Sequence, residues 1–160
     1  MAAFQLAPRQ ALLAIAALCV AGVAVALVGQ YGFDMRPCPW CILQRVLFVL
    51  IALIALAGAV PRALGAQRAA GVAVLLLALC GSAAALWQHF VAAKSSGCSL
   101  TLADKVVTAL HVESLSRELF EITGSCADAA VDLLGLPFEF WSLGLFVVLG
   151  ALALRPWWRG

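Results

Sequence analysis

The sequence predicts an all-α integral membrane protein, a four-transmembrane-helix bundle with a short amphipathic helix in its second outer loop. Two observations carry that prediction. Of the 160 residues, 65% are hydrophobic and 11% charged, whereas a soluble domain is about half apolar and a quarter charged. The apolar residues also gather into four runs of roughly the length that crosses a bilayer core. Lipid leaves no backbone group unpaired, so runs of that length must be helices. The chain length allows one small membrane domain, residues 1–160. A net charge of +2 is too weak to suggest a nucleic-acid partner.

The first run, residues 11–29, reads ALLAIAALCVAGVAVALVG and holds no charge. At 1.5 Å per residue it nearly crosses a hydrocarbon core of about 30 Å. It exceeds a signal-peptide core of roughly 7–15 residues, and a second apolar run follows closely, so it reads as a retained span. A loop over 30–41 leads to the second span, 42–60, which carries Gln44 and Arg45 in its first turn. The third span, 69–91, ends in LWQHFV, and a longer loop covers 92–136. The fourth, 137–154, reads PFEFWSLGLFVVLGALAL. Gly22, Gly71, Gly81, Ser82, Gly144 and Gly150 offer small surfaces for close helix contact. Within the long loop, LADKVVTALHVESLSRELFEI has the pattern of a helix. Val106, Leu110, Leu115 and Leu119 give it an apolar stripe suited to a membrane surface.

Four spans put both termini on one side. Arg9, Arg62, Arg68, Arg155 and Arg159 lie there without an acid. The other side holds an equal number of bases (Arg36, Arg45, Lys94, Lys105 and Arg117) and every acid. The short, dense PRALGAQR and RPWWRG segments break the tie and predict cytoplasmic termini. Cys38, Cys41, Cys98 and Cys126 then fall on the opposite side, which in a bacterium is the periplasm, where disulfides persist.

Cys38 and Cys41 stand at i, i+3 where the second helix begins, with Pro37 and Pro39 suited to its start. Free N–H groups at a helix start favour a thiolate. Arg45 is i+4 from Cys41, on the same face one turn deeper, and keeps its charge. It is placed to hold a negative charge beside Cys41, on the thiolate or on a reduced carrier. A structural disulfide, with Arg45 snorkelling to head groups, is the alternative. A c-type haem site is excluded because Ile42, not His, follows Cys41.

Cys98 lies in KSSGCSL and Cys126 in TGSCADA. A bond between them closes about 28 residues and constrains the unfolded chain by roughly 3.5 kcal/mol. Glycine and serine beside both suit an exposed, attackable bond, and a purely structural bridge stays open. A zinc site lacks its second close cysteine pair, so no metal is expected. Cys19 and Cys80 lie inside spans and read as small hydrophobes. His111 reads as a surface residue, and Trp141, Trp157 and Trp158 as interface anchors. Glu139 is expected to face polar head groups.

Taken together, PCPWCILQR, the QHF that closes the third span, the lone loop Cys98 and GSCADAAVDLLGLPFEFW resemble the disulfide bond formation protein B (DsbB) family over nearly the whole chain. The resemblance implies a membrane oxidoreductase of the bacterial inner membrane that reoxidises a DsbA-type thioredoxin-fold partner. Such partners are strong oxidants, so the final acceptor must be more oxidising still. The implied acceptor is a membrane quinone, ubiquinone first and menaquinone second. Cys98, Cys126, Cys38 and Cys41 are the implied catalytic residues. Cys98–Cys126 is the implied bond that the partner attacks, and Cys98 carries the mixed disulfide. Arg45 is the implied quinone-site cation, and His89 matches the histidine bordering the family's quinone pocket. Trp87 and Gln88 are weaker candidates. Two alternatives remain: a vitamin K epoxide reductase-like enzyme, whose active Cys-x-x-Cys comes late in the bundle, and a non-catalytic membrane subunit held by two disulfides.

The orientation has a direct check. A membrane-impermeant thiol reagent added outside the cell is expected to react with the reduced outer-loop cysteines. Reaction only from the cytosolic side reverses the orientation.

Overall fold

The computed structural model describes residues 7–92, 102–111, 114, 116–125, 132–133 and 135–155. Cys98 and Cys126, and Trp157 and Trp158, lie outside the described residues.

Helix α1 spans Pro8–Gly32, with proline in its first turn, where it removes no intrahelical hydrogen bond. Helix α2 spans Pro39–Ala59 and begins three residues before the apolar run, because Pro39 is pre-set for a first turn and Cys38 caps it. Helix α3 spans Leu64–Phe90. Short helices α4 (Leu102–Ala109) and α5 (Arg117–Phe120) follow. Strands β1 (Asp132–Leu133) and β2 (Leu136–Pro137) pair antiparallel, with Asp132 opposite Pro137 and Leu133 opposite Leu136. Between them Gly135 has a φ of 80°, a conformation open to glycine. Helix α6 spans Phe138–Ala153.

Helices α1, α2 and α3 are long and apolar enough to cross a membrane. Helix α6 is apolar but has 16 residues, or about 24 Å of rise. The four apolar helices share one core. Leu12, Ile15 and Cys19 of α1 meet Phe48 and Ile51 of α2, Val74 of α3, and Phe146 and Leu149 of α6. The Phe48 and Phe146 rings stack with centroids 4.2 Å apart. Outside this core Leu53, Leu76 and Val147 are exposed, which suits lipid rather than water.

Small residues bring the backbones together at particular points. A side chain at Gly81 would overlap the Phe146 ring, and one at Gly22 would meet Leu145. Gly58 is equally tight against Ala70, a contact the sequence reading did not include. Gly144 borders open space instead of a neighbouring helix. Cys19 is fully buried, as expected of a small hydrophobe. Cys80 is a correction: it is exposed on the bundle's outer face. An apolar periphery accepts a thiol as readily as an apolar core does.

The outer segment differs from the predicted single amphipathic helix. It is interrupted at His111, which is exposed with a φ of 49°. Its packing face is also shifted by one residue. Ala103 and Val107 are buried, while Leu110 is exposed. Val107 and Phe120 pack on Ile42, and Ala103 joins the cluster around Cys38, Trp40 and Ala84. The stripe is spent on the start of α2.

Gly81→Val is expected to destabilise the bundle by about 1–3 kcal/mol through overpacking against Phe146. Thermal unfolding in detergent checks this, with Gly144→Ala as a neutral control. Equal melting temperatures for both would disprove the close contact.

Candidate functional site

The α2 start places two sulfurs side by side. Pro39 and Trp40 open the helix, and the Cys38 sulfur accepts the Cys41 N–H at 3.4 Å. The Cys38 and Cys41 sulfurs lie 3.1 Å apart as free thiols. The hydrogen bond to Cys41, then burial, push the Cys38 thiol pKa up. Either sulfur can donate to the other across this contact. The Cys41 sulfur also accepts Nε2–H of Gln88 at 3.3 Å. The Gln88 oxygen in turn accepts Nε2–H of Gln44 at 2.7 Å. Both amides are buried. Gln44 fixes the Gln88 rotamer, and Gln88 presents one N–H to the Cys41 sulfur.

Arg45 lies one turn deeper and is 5% exposed. Its Nη1 donates to Gln30 Oε1 at 2.9 Å and to the Leu119 carbonyl at 2.6 Å. The outer segment lies over it. Its Nε–H is buried and has no partner among the described residues. The segment it holds is tied down twice more. Tyr31 Oη donates to the Glu118 carbonyl at 3.0 Å. The Thr123 and Gly124 N–H groups both donate to the Pro37 carbonyl, at 3.2 and 3.1 Å. The chain leading to Cys126 is thus anchored on the residue before Cys38.

A cavity of about 390 Å³ opens between α1, α2 and α6. Cys41, Gln44, Arg45 and Phe48 line it from α2, and Gln88 lines it from α3. Val23, Val25 and Ala26 of α1 and Trp141 and Leu145 of α6 give it apolar walls. Cys41 and Arg45 also border a smaller space of about 30 Å³ beside Arg36 and Pro37.

Glu139 corrects the sequence reading. It does not face head groups: it is 3% exposed and lines the cavity. Its Oε1 lies 2.8 Å from His89 Nδ1, which draws it inward. Its Oε2 is buried without a partner. His89 is not among the lining residues and reaches the cavity through this carboxylate. Gln88, on the inner face of α3, lines the cavity directly. Trp87 is half exposed, on the outer face. Trp141 is also exposed, in keeping with an anchor.

The family model described as "Disulfide bond formation protein DsbB" matches residues 8–155. The chain belongs to the DsbB family. Among similar proteins, disulfide bond formation protein B 1 of Pseudomonas aeruginosa is 35% identical over 144 residues, covering 88% of each chain. Disulfide bond formation protein B of Herminiimonas arsenicoxydans is 30% identical over 152 residues, covering 94% of this chain and 96% of its own. That of Methylococcus capsulatus is 32% identical over 146 residues. DsbB membership, the apolar helices and the paired thiols make this a membrane protein of disulfide bond formation, with a disulfide oxidoreductase role.

The Arg45–Leu119 bond makes a prediction. A hydrogen bond from a charged donor contributes about 1.5–3 kcal/mol, and about 1.4 kcal/mol is tenfold in an equilibrium. Arg45→Met is therefore expected to speed amide exchange at Phe120 and Glu121 by about tenfold or more. Hydrogen–deuterium exchange reads this. Unchanged protection would show that Arg45 does not fasten the segment.

Proposed function

We propose that this DsbB-family chain reoxidises a periplasmic DsbA-type dithiol oxidase and passes the electrons to a membrane quinone. In this reading residues 1–160 form one inner-membrane domain in which α6 also crosses the bilayer. Both termini are cytoplasmic, the cysteines are periplasmic, and the α4–α5 segment rests at the membrane surface.

The observation that carries the reading is the cavity itself. A thiol, Cys41, and a buried cation, Arg45, share one apolar wall. Two orphaned polar atoms, Arg45 Nε and Glu139 Oε2, belong to residues of that wall. A flat ring with polar oxygens at opposite ends suits such a space. Ubiquinone is the first choice and menaquinone the second. When bound, a quinone supplies a two-electron, two-proton acceptor.

The chain's own residues do the rest. The reduced partner attacks the Cys98–Cys126 disulfide, forming a mixed disulfide at Cys98 and releasing the Cys126 thiol. The partner's second thiol displaces Cys98, leaving the partner oxidised and Cys98 and Cys126 reduced. These thiols then exchange with the Cys38–Cys41 disulfide, which becomes the observed pair of free thiols. Gln88 directs an N–H donor at the Cys41 sulfur, with Cys38 3.1 Å away, and steadies it as the electron-donating atom. Arg45 steadies the negative charge that develops in the cavity. His89 contributes to the quinone site by holding Glu139.

Purified protein, a short-chain quinone and a reduced DsbA-type partner provide the test. Quinone reduction should accompany partner oxidation. Cys41→Ser should abolish it, and Arg45→Ala should slow it by roughly 10²-fold, as loss of a charge-stabilising donor does. With Cys126 removed, the mixed disulfide should accumulate at Cys98. Absence of all three effects would leave a structural role for the cysteines.

A further inference from the structure

The proposed thiol chemistry leaves one buried acid without a role. Glu139 stands in the first turn of α6, on the cavity wall shared with Cys41 and Arg45. A hydrogen bond with His89 accounts for Oε1 alone. Oε2 is buried with no partner among the described residues, an expensive arrangement for a carboxyl group in an apolar wall. His89, by contrast, is 30% exposed as a side chain. Its ring is held edge-on by Phe90 and Phe140, with centroids 4.9 and 4.7 Å away. One end of the pair thus meets the outside and the other meets the cavity.

We propose that Glu139 is a catalytic proton donor to the electron acceptor in this cavity, resupplied through His89. The inference rests on the quinone reading and adds a residue to it. Oxidation of Cys38 and Cys41 forms one S–S bond and releases two electrons and two protons. Both electrons pass to the acceptor. One thiol proton stays in the cavity for the acceptor. The other leaves to the aqueous phase. Glu139 would supply the acceptor's second proton, and His89 would pass in a replacement from the aqueous phase, so the count closes. The ionisable groups around Glu139 are Cys41 and Arg45 on α2 and His89 on α3. Helix α1 contributes only Gly22, Val23, Val25 and Ala26 to the wall.

The test uses the full chain in detergent, with a short-chain ubiquinone as acceptor and dithiothreitol as thiol donor. Glu139→Gln keeps the size and an oxygen for His89 but cannot donate an acidic proton. It should lower kcat by about 10²-fold with KM nearly unchanged, in the range of lost general-acid catalysis. The alkaline limb of the wild-type pH profile, where a proton donor is lost, should disappear with it. Glu139→Asp should keep that limb at a reduced rate. His89→Ala should slow turnover and be rescued by added imidazole. As a readout apart from turnover, infrared difference spectra on adding ubiquinone should show a carboxyl band in wild type that Glu139→Gln lacks. If Glu139→Gln does not fold, the aspartate and imidazole arms carry the test. Wild-type kcat and pH profile in Glu139→Gln would overturn the inference, and so would a raised KM with kcat intact. A wild-type chain that reduces no quinone would sink the functional reading itself.

Discussion

A guanidinium buried in an apolar bundle is the constraint around which the site is built. Removing such a charge from water is costly unless its donors are met. Arg45 meets this demand with Gln30 from α1 and the Leu119 carbonyl from the outer segment. One side chain of α2 therefore ties together two elements that share no sequence neighbourhood. Its Nε–H has no partner among the described residues, and Arg45 lines the cavity wall. The cation thus joins the outer segment to the start of α2.

The sulfur pair sits at the junction of two environments. On one side lies the apolar cavity between the helices. On the other lies a space of about 30 Å³ beside Arg36 and Pro37, near the size of a single water. Cys41 and Arg45 border both. In the proposed reading, electrons pass between loop and membrane through that sulfur while the partner and the acceptor keep to their own sides. The Pro37 carbonyl, held by Thr123 and Gly124, keeps the second loop in register with the first.

Local chemistry was legible in the sequence; long-range pairing was not. The Cys-x-x-Cys pair, the proline start and Arg45 at i+4 all lie within two helical turns, where spacing fixes geometry. Gln44–Gln88 and His89–Glu139 join residues 44 and 50 positions apart, and no periodicity announces them. Glu139 was misread because an acid at the edge of an apolar run ordinarily turns to water; here His89 offers an inward partner. Cys80 and Gly144 show a second limit. Inside a membrane both faces of a helix are apolar, so composition does not separate core from periphery. The α4 stripe was misplaced by one residue because Ala103 packs as well as a larger side chain where α2 is near. Three spans were legible as helices long enough to cross, whereas α6 came out shorter than a bilayer core.

The brevity of α6 carries a consequence for the surrounding lipid. In the proposed four-span reading, α6 rises about 24 Å, several ångströms short of an average hydrocarbon layer. In that reading the bilayer thins or puckers around that edge of the bundle, at a cost of a fraction of a kcal/mol per ångström. Glu139 stands in the first turn of this helix, where such thinning draws the head-group boundary toward it. Acyl-chain length thereby becomes a variable of the chemistry: thin membranes favour water near the carboxylate, and thick ones strain the helix that carries it.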